Sequence, residues 1–292
     1  MRMFEMAAYF RRQKMRRYLP VALLACCLVL TAFICGCCVC WGSQHFERIE
    51  TLSASMAGLE QIKIDTSFGE VKITGTDTTQ CSATAKINGR APTLEEAKQL
   101  AEQTKITLVT EGKVLVFKIE KPNLGCNRSV GVSFDVTVPT RTGIKCETSF
   151  GEVAMKNITG DIDAKTSFGK ICTENITGKI RLDTSFGEVD CESITTDDFL
   201  AKSSYGKMDI DFSNACPADL RARIETSFGE VDVALPHNFA GDIAVETSFG
   251  SIKTELPITV KGDFGKTHIK GTIGQGSGKI DLKTSFGSIK IK

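Results

Sequence analysis

One short motif constrains this chain more than any other feature. TSFGEV starts at Thr66, Thr148, Thr184 and Thr226, TSFGKI at Thr166, and TSFGSI at Thr247 and Thr284, with SSYGKM at Ser203 and GDFGKT at Gly262 as degenerate copies. The nine aromatic–glycine pairs are Phe68-Gly69, Phe150-Gly151, Phe168-Gly169, Phe186-Gly187, Tyr205-Gly206, Phe228-Gly229, Phe249-Gly250, Phe264-Gly265 and Phe286-Gly287. From Phe150 onward successive aromatics stand 15 to 23 residues apart, the variable period of coils whose loops differ in length. The repeat also accounts for the aromatic composition, since Phe occurs 17 times while Trp41 is alone and there are only three Tyr.

Within a copy, apolar residues alternate with period two. Ile62, Ile64 and Thr66 share one face, and beyond the Phe-Gly bend Val71 and Ile73 share the same inner face, so both arms are strands. Asn157-Ile158-Thr159-Gly160 and Asn175-Ile176-Thr177-Gly178 supply turn residues between copies. Two short strands cannot bury their apolar side alone and must stack on copies of themselves. The expected fold is therefore mainly β. It is a single-domain β-solenoid (β-helix) of about seven to nine rungs, each ~4.8 Å above the last.

Alignment on the aromatic separates an inner column from charged ones. Four residues before it come Ile64, Cys146, Ala164, Leu182, Ala201, Ile224, Val245, Val260 and Leu282, all apolar and expected to face inward. Three residues before it the column reads Asp65, Glu147, Lys165, Asp183, Lys202, Glu225, Glu246, Lys261 and Lys283. Two residues after it come Glu70, Glu152, Lys170, Glu188, Lys207, Glu230, Ser251, Lys266 and Ser288. From Phe150 to Phe228 the sign alternates copy by copy in both columns, so neighbours attract and a slip of one rung sets like against like. Each exposed pair is worth only ~0.2–1 kcal/mol, so the ladder specifies register more than it stabilises. The Gly after each aromatic suits a bend with positive φ or close backbone approach. Parity with Ile64 and Thr66 favours a buried Phe column; an exposed binding stripe is the alternative, because the bend shifts parity by one.

Outside the regular repeats, about 144–292, the pattern changes. Thr93 is a plausible N-cap for a helix over about 93–104, with Leu94, Ala97, Leu100 and Ala101 on one face. Ile106–Val109, Val114–Ile119 and Val130–Val138 read as strands, and the helix is expected to cap or flank one end of the solenoid. At the other end the chain stops at Ser288-Ile289-Lys290-Ile291-Lys292, leaving a terminal rung open to end-to-end self-association.

Ahead of the solenoid, residues 19–41 form 23 positions without a charge, about the ~20 a helix needs to cross a bilayer. Arg2, Arg11, Arg12, Lys14, Arg16 and Arg17 precede them, so residues 1–18 are expected to stay cytoplasmic and everything after about 42 to be exported. An uncleaved transmembrane signal-anchor competes with a lipoprotein-like signal in which Ile34-Cys35-Gly36-Cys37 serves as lipobox and Cys37 is the lipidation candidate. Residues 42–59 read as a linker and 60–292 as the solenoid domain. The expected location is the cell membrane, with the solenoid in the cell envelope or at the surface.

The run LEEAKQLAEQTKITL, then KVLVFKIE, then SFDVTVP, then repeated TSFGEV and ITGDI units resembles the bacterial putative adhesin family, a domain-of-unknown-function group of β-solenoids related to domains of cell-envelope stress proteins. The resemblance spans roughly residues 60–292 and implies an exported, envelope-anchored protein without established catalysis. Here Phe stands where many members have a small residue before the Gly.

Chemistry is sparse in the sequence. The net charge is +1, from 36 basic and 35 acidic residues, which argues against nucleic acid as a partner. Of 12 cysteines, six crowd into residues 26–40, and Cys81, Cys126, Cys146, Cys172, Cys191 and Cys216 are scattered without metal-ligand spacing, as are His45, His237 and His268. Cys146 and Cys191 fall in inward columns and Cys172 in an outward one, while Cys81 and Cys126 are candidates for a disulfide. Four residues after the aromatic, Asp190, Asp209 and Asp232 follow one another, with Asp211 nearby; a weak Ca²⁺ or sugar-binding strip competes there with a solvated acidic face. No other cofactor is expected. Glycosidase chemistry would need a groove beside two carboxylates, and no inserted loop from Phe150 to Phe264 builds one. The expectation is a non-enzymatic, membrane-tethered binding, adhesion or envelope-structural module whose partner is a cell-surface polysaccharide or envelope protein. The alternatives are an envelope-stress sensor acting on a membrane protein and a carbohydrate-active β-helix enzyme.

Overall fold

Alternation along each arm is borne out as alternating burial, and in eight of the nine copies the two arms go to two different sheets. The computed structural model describes residues 43–260 and 265–292. The segment 19–41, its candidate lipidation residue Cys37, and Lys261 and Phe264 of the eighth copy lie outside the described residues. Among those described, no helix is long and apolar enough to cross a membrane.

The twelve-stranded sheet takes the arm before each bend. Its central order is Gln61–Phe68, Gly143–Phe150, Ile162–Phe168, Ile180–Phe186, Asp198–Tyr205, Arg221–Phe228, Gly278–Phe286, Gly241–Phe249, all parallel. The eleven-stranded sheet takes the arm after each bend: Val71–Thr76, Val153–Thr159, Ile171–Thr177, Val189–Thr195, Met208–Phe212, Val231–Ala234, Ile289–Ile291, Ile252–Thr254. Eight rungs result. Between the sheets the column four residues before the aromatic is buried from Ile64 to Leu282, except Val260, which is exposed on the edge strand Thr259–Val260. The described residues of the eighth copy build no rung. Its Gly265 N–H bonds the His268 carbonyl, and His268–Ile273 runs back antiparallel along Gly241–Phe249.

The rungs do not follow chain order at the C-terminal end. The last copy lies between the Phe228 and Phe249 rungs, pairing Phe228 with Phe286 on one side and Phe249 with Phe286 on the other. The expectation of an open final rung at the chain end is therefore corrected. Ile289–Ile291 is flanked on both sides, and the outer edges at that end are Thr259–Val260 and Ile252–Thr254. The physical reason lies in the charged column. In spatial order it reads Glu225, Lys283, Glu246, with Lys283 Nζ 3.3 Å from Glu246, so the alternation that chain order breaks is kept in space.

Two further devices hold the stack. The bend glycines approach the neighbouring rung so closely that a Cβ on Gly151 or Gly187 would overlap the carbonyl oxygen of Gly69 or Gly169. The threonine or serine two residues before each stacked aromatic is buried, and in five rungs its hydroxyl donates to the glycine carbonyl next door, Ser203 bonding Gly187, while Thr66 bonds the Val132 carbonyl instead. Thr166 bonds Gly151, Thr184 bonds Gly169, Thr284 bonds Gly229 and Thr247 bonds Gly287, at 2.9 to 3.3 Å. On the second sheet Asn157 and Asn175 adopt left-handed φ of +58° and +55° and turn the arm, with Asn175 Nδ2 donating to Asn157 Oδ1 at 2.8 Å.

At the N-terminal end the stack is closed by antiparallel strands. Residues 44–55, read from sequence as linker, form the strand Gln44–Ser55, which pairs along its whole length with Gln80–Ala91. That strand in turn pairs with Ser129–Pro139, and Lys105–Glu111 and Val114–Glu120 extend the other sheet. The helix Leu94–Gln103 starts at Thr93, whose side chain accepts from the Glu96 N–H. It buries Ala97, Leu100 and Ala101, with the Ala97 carbonyl against Gly89, whereas Leu94 is exposed rather than on the packed face.

Candidate functional site

The bend places two consecutive residues, Ser and then Phe, outside the barrel of alternation, so the aromatic column lies on the surface. This corrects the expectation of a buried stack. Phe68, Phe150, Phe168, Phe186, Tyr205, Phe228, Phe286 and Phe249 are 41 to 66% exposed, although the threonine two positions earlier is at most 8% exposed in the same copies, Ser203 included. Consecutive rings stack with centroids 4.7 to 5.0 Å apart and planes within 6° of parallel. The column is continuous through the inserted last copy, because Phe286 stacks on both Phe228 and Phe249.

This stack has a definite chemistry. Each ring covers the faces of its neighbours, so seven contacts each contribute ~0.5–1.5 kcal/mol beyond area burial, and what solvent meets is a ridge of ring edges. Among the described rings of the column, only the two end ones have a face not taken by another. At roughly 90 Å² of exposed surface per ring, the ridge displays about 700 Å². That is above the ~300–600 Å² of the largest apolar patch on a typical monomer. Charged residues run along both flanks, three residues before every ring and two after those from Phe68 to Phe228, with the neutral Ser288 and Ser251 completing the second flank.

The aspartates are brought into register, Asp190 opposite Asp209 and Asp209 opposite Asp232, as the repeat predicts. A lysine meets each one: Lys170 at 2.8 Å from Asp190, Lys207 at 2.7 Å from Asp209 and Lys292 at 3.1 Å from Asp232. The hydrogen bonds to those carboxylates raise the pKa of Lys170, Lys207 and Lys292. A cation would have to displace these ammonium groups, and Asp211 lies opposite Ala234, away from the trio's column. Among the described residues no group of three or more His, Cys, Asp and Glu converges as a metal site. A depression on that sheet is lined by Lys72, Asp135, Lys156, Cys172, Glu174 and Asp190, with Lys156 at 2.6 Å from Glu174 and Asp190 held by Lys170.

The buried thiols are poor nucleophiles. Cys81 and Cys126 are both free, Cys81 buried and Cys126 exposed, so the candidate disulfide is not formed. Burial pushes Cys146 and Cys191 up to about 12, and Cys81 and the half-exposed Cys172 up to about 11. None of these four has the lowered pKa of a nucleophile.

Sequence reasoning missed the bracing threonines, although a Thr or Ser at that position in eight of nine copies was a visible signal. It also missed the spatial order of the last rungs, for which the charged column was the signal.

No curated protein matches the chain. Among solved structures, a putative adhesin from Bacteroides fragilis is 18% identical, with 84% of this chain and 97% of that chain covered at a TM-score of 0.40. A putative cell adhesion protein from Clostridium sporogenes is 16% identical, with 85% and 99% covered at a TM-score of 0.34. The model of the Toastrack DUF4097 family matches residues 127–292. All the stacked strand–bend–strand copies except the first fall within that match, and the chain belongs to the Toastrack DUF4097 family.

Proposed function

We propose that this protein is a membrane-tethered, extracytoplasmic binding and adhesion module without catalytic activity, and that its working surface is the aromatic ridge. The observation that carries the reading is the exposure of eight stacked rings in a single line. Folding gains nothing from leaving apolar edges in water, since burial is worth ~25 cal/mol per Å². A ridge of this size is therefore explained by a partner that covers it. The charge-free segment 19–41 behind a basic tail supplies the tether.

Two observations support the non-catalytic reading. The aligned carboxylates lie on an open sheet face, each beside a lysine, and the buried thiols are held protonated.

The test uses cells that display the full chain, assayed for adhesion to one another and to surfaces coated with peptidoglycan or polysaccharide. Phe168→Ser, Phe186→Ser and Phe228→Ser together are expected to cut adhesion at least tenfold at equal surface amount. Adhesion unchanged by the triple substitution would overturn the ridge as the working surface.

A further inference from the structure

We infer that the ridge recognises a second copy of this chain, with the two solenoids antiparallel about a two-fold axis and ring edges packed against ring edges. The inference rests on the ridge being the working surface and names its partner.

The ring geometry narrows the partners. Sugars dock on aromatic faces, and here neighbouring rings at 4.7 to 5.0 Å cover those faces. A ridge of edges is matched instead by a long, narrow apolar surface with the same repeat, and a second ridge is such a surface. The area fits too, because about 700 Å² of ring edge is close to the ~800 Å² per partner of a standard interface.

Charge then selects the orientation. In spatial order the column three residues before the rings reads Asp65, Glu147, Lys165, Asp183, Lys202, Glu225, Lys283, Glu246. The column two residues after them carries the same signs from Glu70 to Glu230 and ends in the neutral Ser288 and Ser251. A two-fold axis along the ridge would lay one column on the other rung by rung, with like charges at all six rungs where both are charged. A two-fold axis across the ridge lays each column on its own reverse. Lys165 then faces Glu225 of the partner subunit, Asp183 faces Lys202 of the partner subunit, and Glu147 faces Lys283 of the partner subunit. Six of the eight positions in the first column are opposite in sign, and so are the four central positions of the second. An isologous contact of this kind is self-complementary and closes on itself. Individual rim pairs are weak, so the charges decide orientation while the rings supply affinity. The antiparallel arrangement also puts Gln44 of the two copies at opposite ends of the pair, the polarity of a contact between facing surfaces.

The full chain in detergent micelles, followed by sedimentation equilibrium, is expected to show a dimer, weakened at least tenfold by Phe186→Ser with Tyr205→Ser while circular dichroism stays unchanged. A photoreactive benzoylphenylalanine in place of Phe168 is expected to cross-link to residues 225–230 of the other copy. A monomer at tens of micromolar, a dimer indifferent to the two serines, or cross-links from position 168 to 165–170 of the other copy would each overturn the proposal. So would binding of a monomer to peptidoglycan or to phosphatidylcholine vesicles through the rings. In that last case the second copy fails as partner and the ridge survives as a binding surface, whereas the triple variant's indifference in the adhesion assay removes both.

Discussion

The middle of the solenoid and its C-terminal end obey the same contacts but a different chain order. From Gly143 to Phe228 the chain climbs one level per copy. After Phe228 it leaves a level empty, lays down Gly241–Phe249, turns back through His268–Ile273, and fills the gap with Gly278–Phe286 and Ile289–Ile291. The glycine contacts, the hydroxyl bonds and the charge alternation three residues before the aromatic persist across this detour. Gly287 sits on Gly229 and Gly250 on Gly287, the Thr284 and Thr247 hydroxyls reach the glycine carbonyls beneath them, and Lys283 lies between two glutamates. Register chemistry therefore ranks above chain order. The detour is cheap, since each doubling of a loop costs only about 0.6 kcal/mol of closure entropy.

The comparison is broken most severely by removing residues 278–292. Ile280, Leu282, Ile289 and Ile291 are fully buried, and each such side chain is worth ~1.5–3 kcal/mol. Hydrogen exchange should show residues 241–273 losing protection while 143–228 keep theirs; equal loss in both would mean the two regions fold as one unit. Next comes Gly187→Ala, which drives a Cβ into the Gly169 carbonyl and should lower stability by about 2–4 kcal/mol in urea titrations. Gly112→Ala is the control: φ is +62° but nothing lies within 4 Å, so only ~1 kcal/mol of strain is expected.

Lys283→Glu is a smaller perturbation. It sets three carboxylates in a row with Glu225 and Glu246 and should cost about 1 kcal/mol at low salt, less at high salt, measured by thermal melts at two ionic strengths. Adding Glu246→Lys should recover part of it.

At neutral pH the smallest effect comes from the thiols. Cys146 and Cys191 have folded pKa values near 12 against an ordinary value of 9.0, so their contribution is fully present below about pH 9 and lost as pH rises towards 12. Urea midpoints should fall over that range. Cys126, exposed, should react with a thiol reagent at pH 8 far faster than either.

Much of this was legible in the sequence because period-two alternation and turn residues are local signals. Ile64 and Val71 bury as their parity demands, and Thr93 caps the helix it precedes. The Phe column was misplaced because parity cannot be carried through a bend that turns two adjacent residues outward. Gln44–Ser55 was missed because it is an edge strand whose inner residues are only half buried, so Arg48 and Glu50 on that inner face and Ile49 on the exposed one break its apolar pattern. The inserted last rung is a long-range choice. It was written in the signs of Glu225, Glu246 and Lys283, which make sense only when read by space rather than by number. The ridge depends on that choice, since its eight rings and its reversible charge pattern both require Phe286 between Phe228 and Phe249.

That dependence makes one measurement decisive. Glu225→Cys with Lys283→Cys places two thiols on adjacent rungs ~4.8 Å apart, within disulfide reach, whereas Glu225→Cys with Glu246→Cys places them two rungs apart, ~9.6 Å, beyond it. Oxidation of the folded full chain and peptide mapping should find the 225–283 bond and not the 225–246 bond. A 225–246 bond formed readily in the folded protein, with 225–283 unreactive, would put the rungs in chain order and contradict the account.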